Sequence, residues 1–167
     1  SVTFDDSGNV GIGTSSPSAL LHLKTTAASA KLAFETTGGT VPRTWLNFVS
    51  DSSGSYFIQD STASANRLTI DTSGNVGIGT SSPDKAIHVK TAVNNTAVVR
   101  IESTATDSYP TLSLKNDARE YQLTAHGPLG DKFTIYDGTA GSHRLVIDTS
   151  GNVGIGTTSP AVRLSGT

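Results

Sequence analysis

Apolar side chains alternate with polar residues or glycine along short stretches of the chain, with a period of two. LTID from Leu68 to Asp71, VGIG from Val76 to Gly79 and FTIY from Phe133 to Tyr136 all show this alternation. Strict alternation is typical of half-buried β-strands. No segment has a sustained 3.6-residue period, and the Ser, Thr and Gly content opposes helix. The pattern predicts an all-β fold with little or no helix.

One phrase occurs three times and organises the rest of the chain. It reads FDDSGNVGIGTSSP from Phe4 to Pro17, LTIDTSGNVGIGTSSP from Leu68 to Pro83, and LVIDTSGNVGIGTTSP from Leu145 to Pro160. Such self-similarity is typical of repeat architectures. The segment 56–75 also matches the segment 133–152, so the similarity extends upstream of the phrase. The predicted organisation therefore has four parts. Residues 1–17 end a preceding repeat, 18–83 and 84–160 form two repeat modules, and 161–167 start a following repeat.

Each phrase predicts a β-hairpin. The tetrapeptide Thr72–Asn75 carries Gly and Asn, which tolerate the positive φ angles of tight turns. The proline at the end of each phrase is expected to end the second strand, because proline cannot donate to a ladder. The glycines with predicted structural roles in turns and strands are Gly8, Gly11, Gly13, Gly74, Gly77, Gly79, Gly151, Gly154 and Gly156.

Glycine at alternate positions of VGIGT leaves one face of the second strand without side chains. Glycine weakens a strand unless another backbone approaches closely. The neighbour at this face is expected to be another layer of the same chain, a symmetry mate or the next subunit. The opposite face, with Val and Ile, is expected to meet a core.

Composition limits the classes of function. The net charge is −2, from 12 Lys and Arg against 14 Asp and Glu, and no basic cluster occurs, so no nucleic-acid partner is expected. No apolar run approaches the roughly 20 residues that cross a bilayer, so no membrane insertion is expected. Cys is absent, which fits folding in a reducing compartment. Met is also absent, so residue 1 is not an initiator, and the chain is expected to be a processed product or a segment of a longer protein. Large apolar residues are sparse, so partner chains would help to offset ordering entropy.

The phrase RLTIDTSGNVGIGTSSP from Arg67 to Pro83, with its lead-in FTIYDGTAGSHRL from Phe133, resembles a repeat of bacteriophage tail fibres and tailspike-type proteins. In that family the repeat often precedes an intramolecular chaperone domain of the endosialidase type. The resemblance covers roughly half of the chain. It implies an elongated, intertwined homotrimer in which repeats form a shaft and receptor binding lies at the tip. Nothing in the sequence matches the chaperone domain, and similar repeats occur in bacterial surface proteins.

Three aspartates, Asp5, Asp71 and Asp148, recur at one point of the phrase, just before the turn. Repeated Asp beside Gly and Asn could ligate calcium, but each phrase offers one carboxylate where such a site needs several. We expect these aspartates to cap the turn by accepting backbone N–H bonds. Arg67 and Arg144 are expected to pair with an Asp on a facing strand.

His22 and His88 recur at one strand position, and the alignment sets Arg163 at the same place in the third copy. These histidines could bind a metal or an anion on a symmetry axis, but we expect them to be strand residues that face solvent. The Gly-x-Gly of the phrase lacks the following helix that phosphate binding requires, so its role is expected to be structural. Glu35, Glu102 and Glu120 lie singly with no repeated partner, and no GxSxG motif occurs, so no catalytic residues, cofactor or metal are expected.

Aromatic residues are concentrated in the segments that differ between modules, 26–56 and 92–132. Aromatic side chains on surface loops stack against sugar or protein receptors. With so few large apolar residues, however, most of these aromatics are expected to fill the core. The residues considered as receptor contacts are Trp45, Tyr109, Tyr121 and His126.

The expected function is structural. The leading interpretation is a shaft segment of a phage-type tail fibre, a rigid homotrimeric spacer on the virion that supports attachment to a polysaccharide or protein receptor on the host. The alternative is a subunit of a bacterial cell-surface filament or adhesin, assembled head to tail by strand complementation.

Overall fold

The computed structural model describes residues 1–26, 28–91 and 99–163. Residue 27, residues 92–98 of the second predicted insert, and residues 164–167 of the predicted following repeat lie outside the described residues. The fold is all-β, and the described residues contain fourteen strands and one short 3-10 turn, which confirms the predicted class. The chain divides into two compact units, Ser1–Val98 and Val99–Thr167. Within the described residues, no helix has the length and apolar character needed to cross a bilayer.

The first unit begins with a three-stranded sheet. Strands β1 (Val2–Phe4) and β2 (Val10–Ile12) form an antiparallel hairpin, and β3 (Leu21–Leu23) returns parallel to β2. The return places the backbone N–H of Val10 2.8 Å from the carbonyl oxygen of Leu20. The first copy of the phrase therefore forms a hairpin followed by a parallel third strand.

The second sheet of the first unit has six strands in sequential order. All neighbours are antiparallel except the last pair, which repeats the parallel return of the first sheet. The sequence-based boundary at 83/84 falls between two strands of this sheet that pair with each other. The six strands are β4 (Lys31–Thr36), β5 (Arg43–Val49), β6 (Tyr56–Asp60), β7 (Ala65–Ile70), β8 (Val76–Ile78) and β9 (Ile87–Val89).

The second unit is a five-stranded antiparallel meander. A 3-10 turn at Gly127–Leu129 follows its second strand. The strands are β10 (Thr111–Lys115), β11 (Glu120–His126), β12 (Lys132–Asp137), β13 (Ser142–Ile147) and β14 (Val153–Ile155).

The third copy of the phrase begins the same return as the other two. Its Val153 N–H lies 3.2 Å from the carbonyl oxygen of Val162, as Val76 N–H lies 2.9 Å from that of Ala86. This bond aligns Val162 with Ala86 and Arg163 with Ile87. The alignment of Arg163 with His22 and His88 was therefore wrong by one residue, and the position equivalent to His88 falls at residue 164, outside the described residues.

The predicted hairpin of each phrase is confirmed. In the second copy, β7 and β8 pair with Thr69 opposite Gly77. The strand ends at Ile78 rather than at the proline, because Gly79 has a φ of 72° and turns the chain. Pro83 instead lies over Gly77, where a Cβ atom would stand 3.5 Å from the proline Cβ.

The bare glycine face is covered by the chain itself. A Cβ atom added at Gly77 would lie 2.5 Å from the carbonyl oxygen of Thr80, and one at Gly154 would lie 2.8 Å from that of Thr157. The segment that follows each second strand thus folds back over the glycine. Of the three neighbours considered for this face, the close one is another layer of the same chain.

The buried interior is small and largely polar. Phe57 and Val146 are the large apolar side chains buried in the described part of the chain. The other fully enclosed positions include Thr69 and Thr134, both 0% exposed, and two aspartates described below. A chain that buries so little apolar surface has a weak hydrophobic contribution to its stability as a monomer.

Candidate functional site

Each sheet has one face of almost uniformly apolar side chains, which we call the apolar face. Strand register and the two-residue alternation of side chains define it. In the second unit it crosses all five strands from Leu112 through Leu123, Ile135 and Leu145 to Ile155. The opposite, polar face runs from Thr111 to Gly154 and contains the buried threonines.

The apolar face is uncovered within the described part of the chain. In the second unit Leu114 is 56% exposed and Ile155 77% exposed. The expectation that Val and Ile of the phrase meet a core is therefore wrong for the single chain. The six-stranded sheet has the same arrangement, and its exposed apolar-face residues are Leu32, Phe34, Trp45, Val49, Ile70, Ile78 and Ile87.

Total exposure supports the same conclusion. The chain exposes 11535 Å². Two separate compact domains with the masses of the two units would together expose about 9,400 Å². The excess is about 2,000 Å², whereas each partner in a standard protein interface buries about 800 Å². The chain is therefore less compact than two closed domains of these masses.

A buried carboxylate with two arginines interrupts the apolar face in each unit, and we call these groups the Asp–Arg clusters. Asp60 is 3% exposed, and its Oδ2 lies 3.1 Å from Arg43 Nη1 and 3.0 Å from Arg67 Nη2. Its Oδ1 accepts the backbone N–H of Ala63 at 3.0 Å, so the carboxylate also caps the β6–β7 turn.

The second cluster repeats this geometry. Asp137 is 0% exposed, and its Oδ2 lies 2.6 Å from Arg144 Nη2 and 3.1 Å from Arg119 Nη1. Its Oδ1 accepts the backbone N–H of Ala140 at 2.9 Å. Charge-assisted bonds of this kind satisfy a carboxylate that would otherwise be costly to bury.

The clusters hold both carboxylates in the ionised form. The side-chain hydrogen bond from Arg67 is the main cause that lowers the pKa of Asp60, and that from Arg144 is the main cause that lowers the pKa of Asp137. Each cluster combines one negative with two positive side chains. Surplus positive charge therefore lies at the same place on the apolar face of each unit.

The recurring turn aspartates cap the hairpins, as predicted. Asp71 Oδ1 accepts the backbone N–H groups of Ser73 at 2.8 Å and Asn75 at 2.9 Å, and its Oδ2 accepts the Asn75 side chain at 3.0 Å. The hydrogen bond from the Asn75 backbone is the main cause that lowers the pKa of Asp71. Asp5 and Asp148 make the same bonds in their own copies.

The recurring histidines, expected to face solvent, are half-buried. His22 stands opposite Gly11 in the parallel pair, and His88 stands opposite Gly77. The absence of a glycine side chain leaves space on this face for the imidazole. His88 Nδ1 lies 3.0 Å from Asp84 Oδ1.

The aromatic residues do not form the expected core. Trp45 is 37% exposed, Tyr121 42% and Tyr109 55%. Trp45 and Tyr121 occupy equivalent places on the apolar face of their units, whereas Tyr109 lies against His126, with ring centroids 4.6 Å apart. Their role as receptor contacts stays a prediction, and the structure groups only Tyr109 with His126.

The second arginine of each cluster was not predicted from the sequence. Arg67 and Arg144 were expected to pair with an Asp, whereas Arg43 and Arg119 were not identified as further partners. The second arginine lies 17 or 18 residues before its aspartate, so only the register of β5 with β6, and of β11 with β12, brings it close. The offset of 77 residues relates Asp60 to Asp137 and Arg67 to Arg144, but Arg43 and Arg119 are 76 residues apart, so the repeat gave no signal for them.

Neither a metal-binding group of side chains nor similarity to a known protein indicates a function for the apolar face and the Asp–Arg clusters. Among the described residues, no three His, Asp or Glu side chains lie together in a way that could hold a metal ion. No protein-family model matches the chain, and no curated protein is detectably similar to it.

Proposed function

We propose that this chain is a structural segment that assembles with further copies of itself into a β-fibre shaft. The observation that carries the proposal is the repeated, uncovered apolar face. A sheet with one apolar face must bury that face against another layer to be stable. In the described part of the chain the first sheet approaches this face only near Leu32 and Val49, and both side chains stay exposed, so a second copy is the simplest partner.

The Asp–Arg clusters constrain how copies of the chain can associate. Each is surrounded by apolar side chains that association would cover, and each has surplus positive charge on arginines that are about half exposed. Covering a charge without a partner is costly, so the opposing copy must supply acceptor groups at these points. Such polar points within an apolar interface set its register.

The number of copies and the biological setting come from the resemblance of the phrase to tail-fibre repeats. We propose three copies, wound about a common axis, that form a rigid spacer in a phage-type fibre. In that setting the segment is extracellular, its partner is itself, and receptor binding falls mainly to neighbouring parts of the fibre.

Paired substitutions on β10 test the role of the apolar face. Leu114 and Ser113 are adjacent residues on opposite faces of the strand. Leu114→Lys places a charge in the proposed interface, whereas Ser113→Lys places the same charge on the polar face near Glu120. Sedimentation velocity on both variants at equal protomer concentration is expected to show dissociation for Leu114→Lys and the native assembly for Ser113→Lys. Equal behaviour of the two variants would contradict the proposal.

Phe34 and Ala33 on β4 provide the same test in the first unit. Phe34 is 55% exposed on the apolar face, and Ala33 is exposed on the other. Phe34→Lys is expected to weaken assembly and Ala33→Lys to leave it unchanged. If the native chain forms open-ended polymers in place of a discrete species, the head-to-tail filament replaces the closed trimer.

A further inference from the structure

The polar face of the second unit contains an open cavity of about 360 Å³. Four aromatic rings form a continuous row along it. The centroids of Tyr109 and His126 are 4.6 Å apart, those of His126 and His143 5.2 Å, and those of His143 and Tyr136 4.9 Å. Gln122, Thr124 and Gly141 complete the lining.

The lining is uncharged and offers both donors and acceptors. His126 Nδ1 accepts the backbone N–H of Leu129 at 3.1 Å, so the neutral ring has its proton on Nε2 and acts as a donor there. Gln122 donates its amide to Glu120 Oε1 at 2.8 Å, which leaves its own oxygen as an acceptor. None of the residues that line the cavity is an Asp, Glu, Lys or Arg.

Two properties of the histidines disfavour a metal or an anion as the ligand. Metal binding through His126 Nε2 would require a proton on Nδ1, which would then face the Leu129 N–H. Burial is the main cause that lowers the pKa of His143, with the neighbouring His126 as a second cause, so His143 has little tendency to become positive. The cavity suits an uncharged ligand.

The first unit provides an internal comparison, because its β6–β7 pair repeats the β12–β13 pair, including the register shift, while the residues at two positions differ. Gln59 and Asn66 occupy the places of Tyr136 and His143 and bond to each other at 2.9 Å. The strand register is thus compatible with small amides at these two positions. The aromatic row is therefore not a requirement of the repeat but a property of the second unit alone.

The position of the cavity keeps it accessible. It lies on the polar face, opposite the apolar face that the proposed assembly covers, and Tyr109 at its rim is 55% exposed. Pockets of 300–1,000 Å³ with aromatic walls and a few polar groups are the usual form of small-molecule sites.

We propose that this cavity is a binding site for a neutral pyranose ring, free or within a glycan. The C–H bonds on one side of a pyranose carry partial positive charge, which complements the negative faces of aromatic rings. Its hydroxyl groups need both donors and acceptors when they leave water, and His126, Gln122 and the two tyrosine hydroxyls supply them.

The test uses the full chain and a panel of methyl pyranosides with glucose, galactose, mannose and N-acetylglucosamine configurations. Saturation-transfer NMR detects weak binding, and titration gives the dissociation constant. At least one pyranoside is expected to bind with a constant on the order of 1 mM, as the usual affinity per atom implies for a ring of this size.

The variant Tyr136→Gln with His143→Asn installs the pair that the first unit has at the same places, so the sheet is expected to stay folded. It should weaken pyranoside binding at least tenfold. The matched control, Gln59→Ala with Asn66→Ala, alters the first unit and should leave binding unchanged. Circular dichroism verifies that both variants keep their strand content.

No binding of any pyranoside to the native chain overturns the proposal, as does undiminished binding in the Tyr136→Gln, His143→Asn variant. Binding of indole or acetate without any pyranoside also overturns it. The sedimentation coefficient, measured on the same samples, reports self-association separately, so failure of the sugar site and failure of the proposed structural role remain distinguishable.

Discussion

Thr134→Val tests whether the buried polar layer stabilises the second unit through hydrogen bonds or through shape alone. Thr134 lies in the middle of β12, is 0% exposed, and its hydroxyl has no hydrogen-bond partner in the described part of the chain. Its neighbours across the sheet are Thr124 on β11 and Val146 on β13. Valine keeps the β-branched shape that suits a strand and replaces the hydroxyl by a methyl group.

The expected effect is a gain in stability. A hydroxyl buried without a partner costs about 1–3 kcal/mol in protein mutational data, and the methyl group removes this penalty. We expect Thr134→Val to raise the free energy of unfolding by about 1–2 kcal/mol. For a unit of this size each kcal/mol corresponds to a rise of roughly 4–8 °C in the unfolding midpoint.

Urea unfolding followed by circular dichroism, at one protomer concentration, measures the change. Thr124→Val is the matched control, because the Thr124 hydroxyl lies 3.1 Å from that of Thr111. The control should lower stability by about 1 kcal/mol, since it removes a hydrogen bond. A destabilised Thr134→Val, or an equal gain in Thr124→Val, would refute the reasoning.

Three further predictions concern the carboxylates and the glycines. Asp137→Asn removes the charge that two arginines share, so thermal unfolding should occur at a lower temperature than in the exposed control Asp117→Asn. Acidification should destabilise the fold, because the hydrogen bond from Arg144 lowers the pKa of Asp137 from its usual 3.8 and burial lowers the pKa of His143 from its usual 6.5. Stability, measured from pH 7 to pH 2, should therefore fall first below pH 6.5 and again below pH 3.8. Gly74→Ala should lower the free energy of unfolding in urea by about 1–2 kcal/mol, because Gly74 has a positive φ. Gly77→Ala should lower it further, because the added Cβ atom would meet the Thr80 carbonyl oxygen. Equal losses in the two variants would contradict this close approach.

Local structure could be predicted from the sequence where a single physical property of the residues determines it. The alternation of Leu68 and Ile70 with polar residues gave the strand, and the Gly74–Asn75 pair gave the turn. The constant offset between the repeats also predicted that Arg67 and Arg144 pair with an aspartate. These features depend on neighbours within a few residues of each other.

Long-range features were not readable in the same way. The direction of the return strand, parallel to β8, depends on how the segment after Gly79 folds over Gly77. The aromatic row joins Tyr109, His126, Tyr136 and His143, which only the register of β11, β12 and β13 brings together. Trp45 was expected to be buried because apolar residues are sparse, yet the sheet places it on an uncovered face.

The mass of the native chain in solution tests the central claim most directly. Each chain has a mass of 17.2 kDa. If copies cover the apolar faces of both units, sedimentation equilibrium at micromolar concentration should show a discrete species of three chain masses. A stable, folded monomer of 17.2 kDa, with strand content unchanged on dilution, would contradict the account.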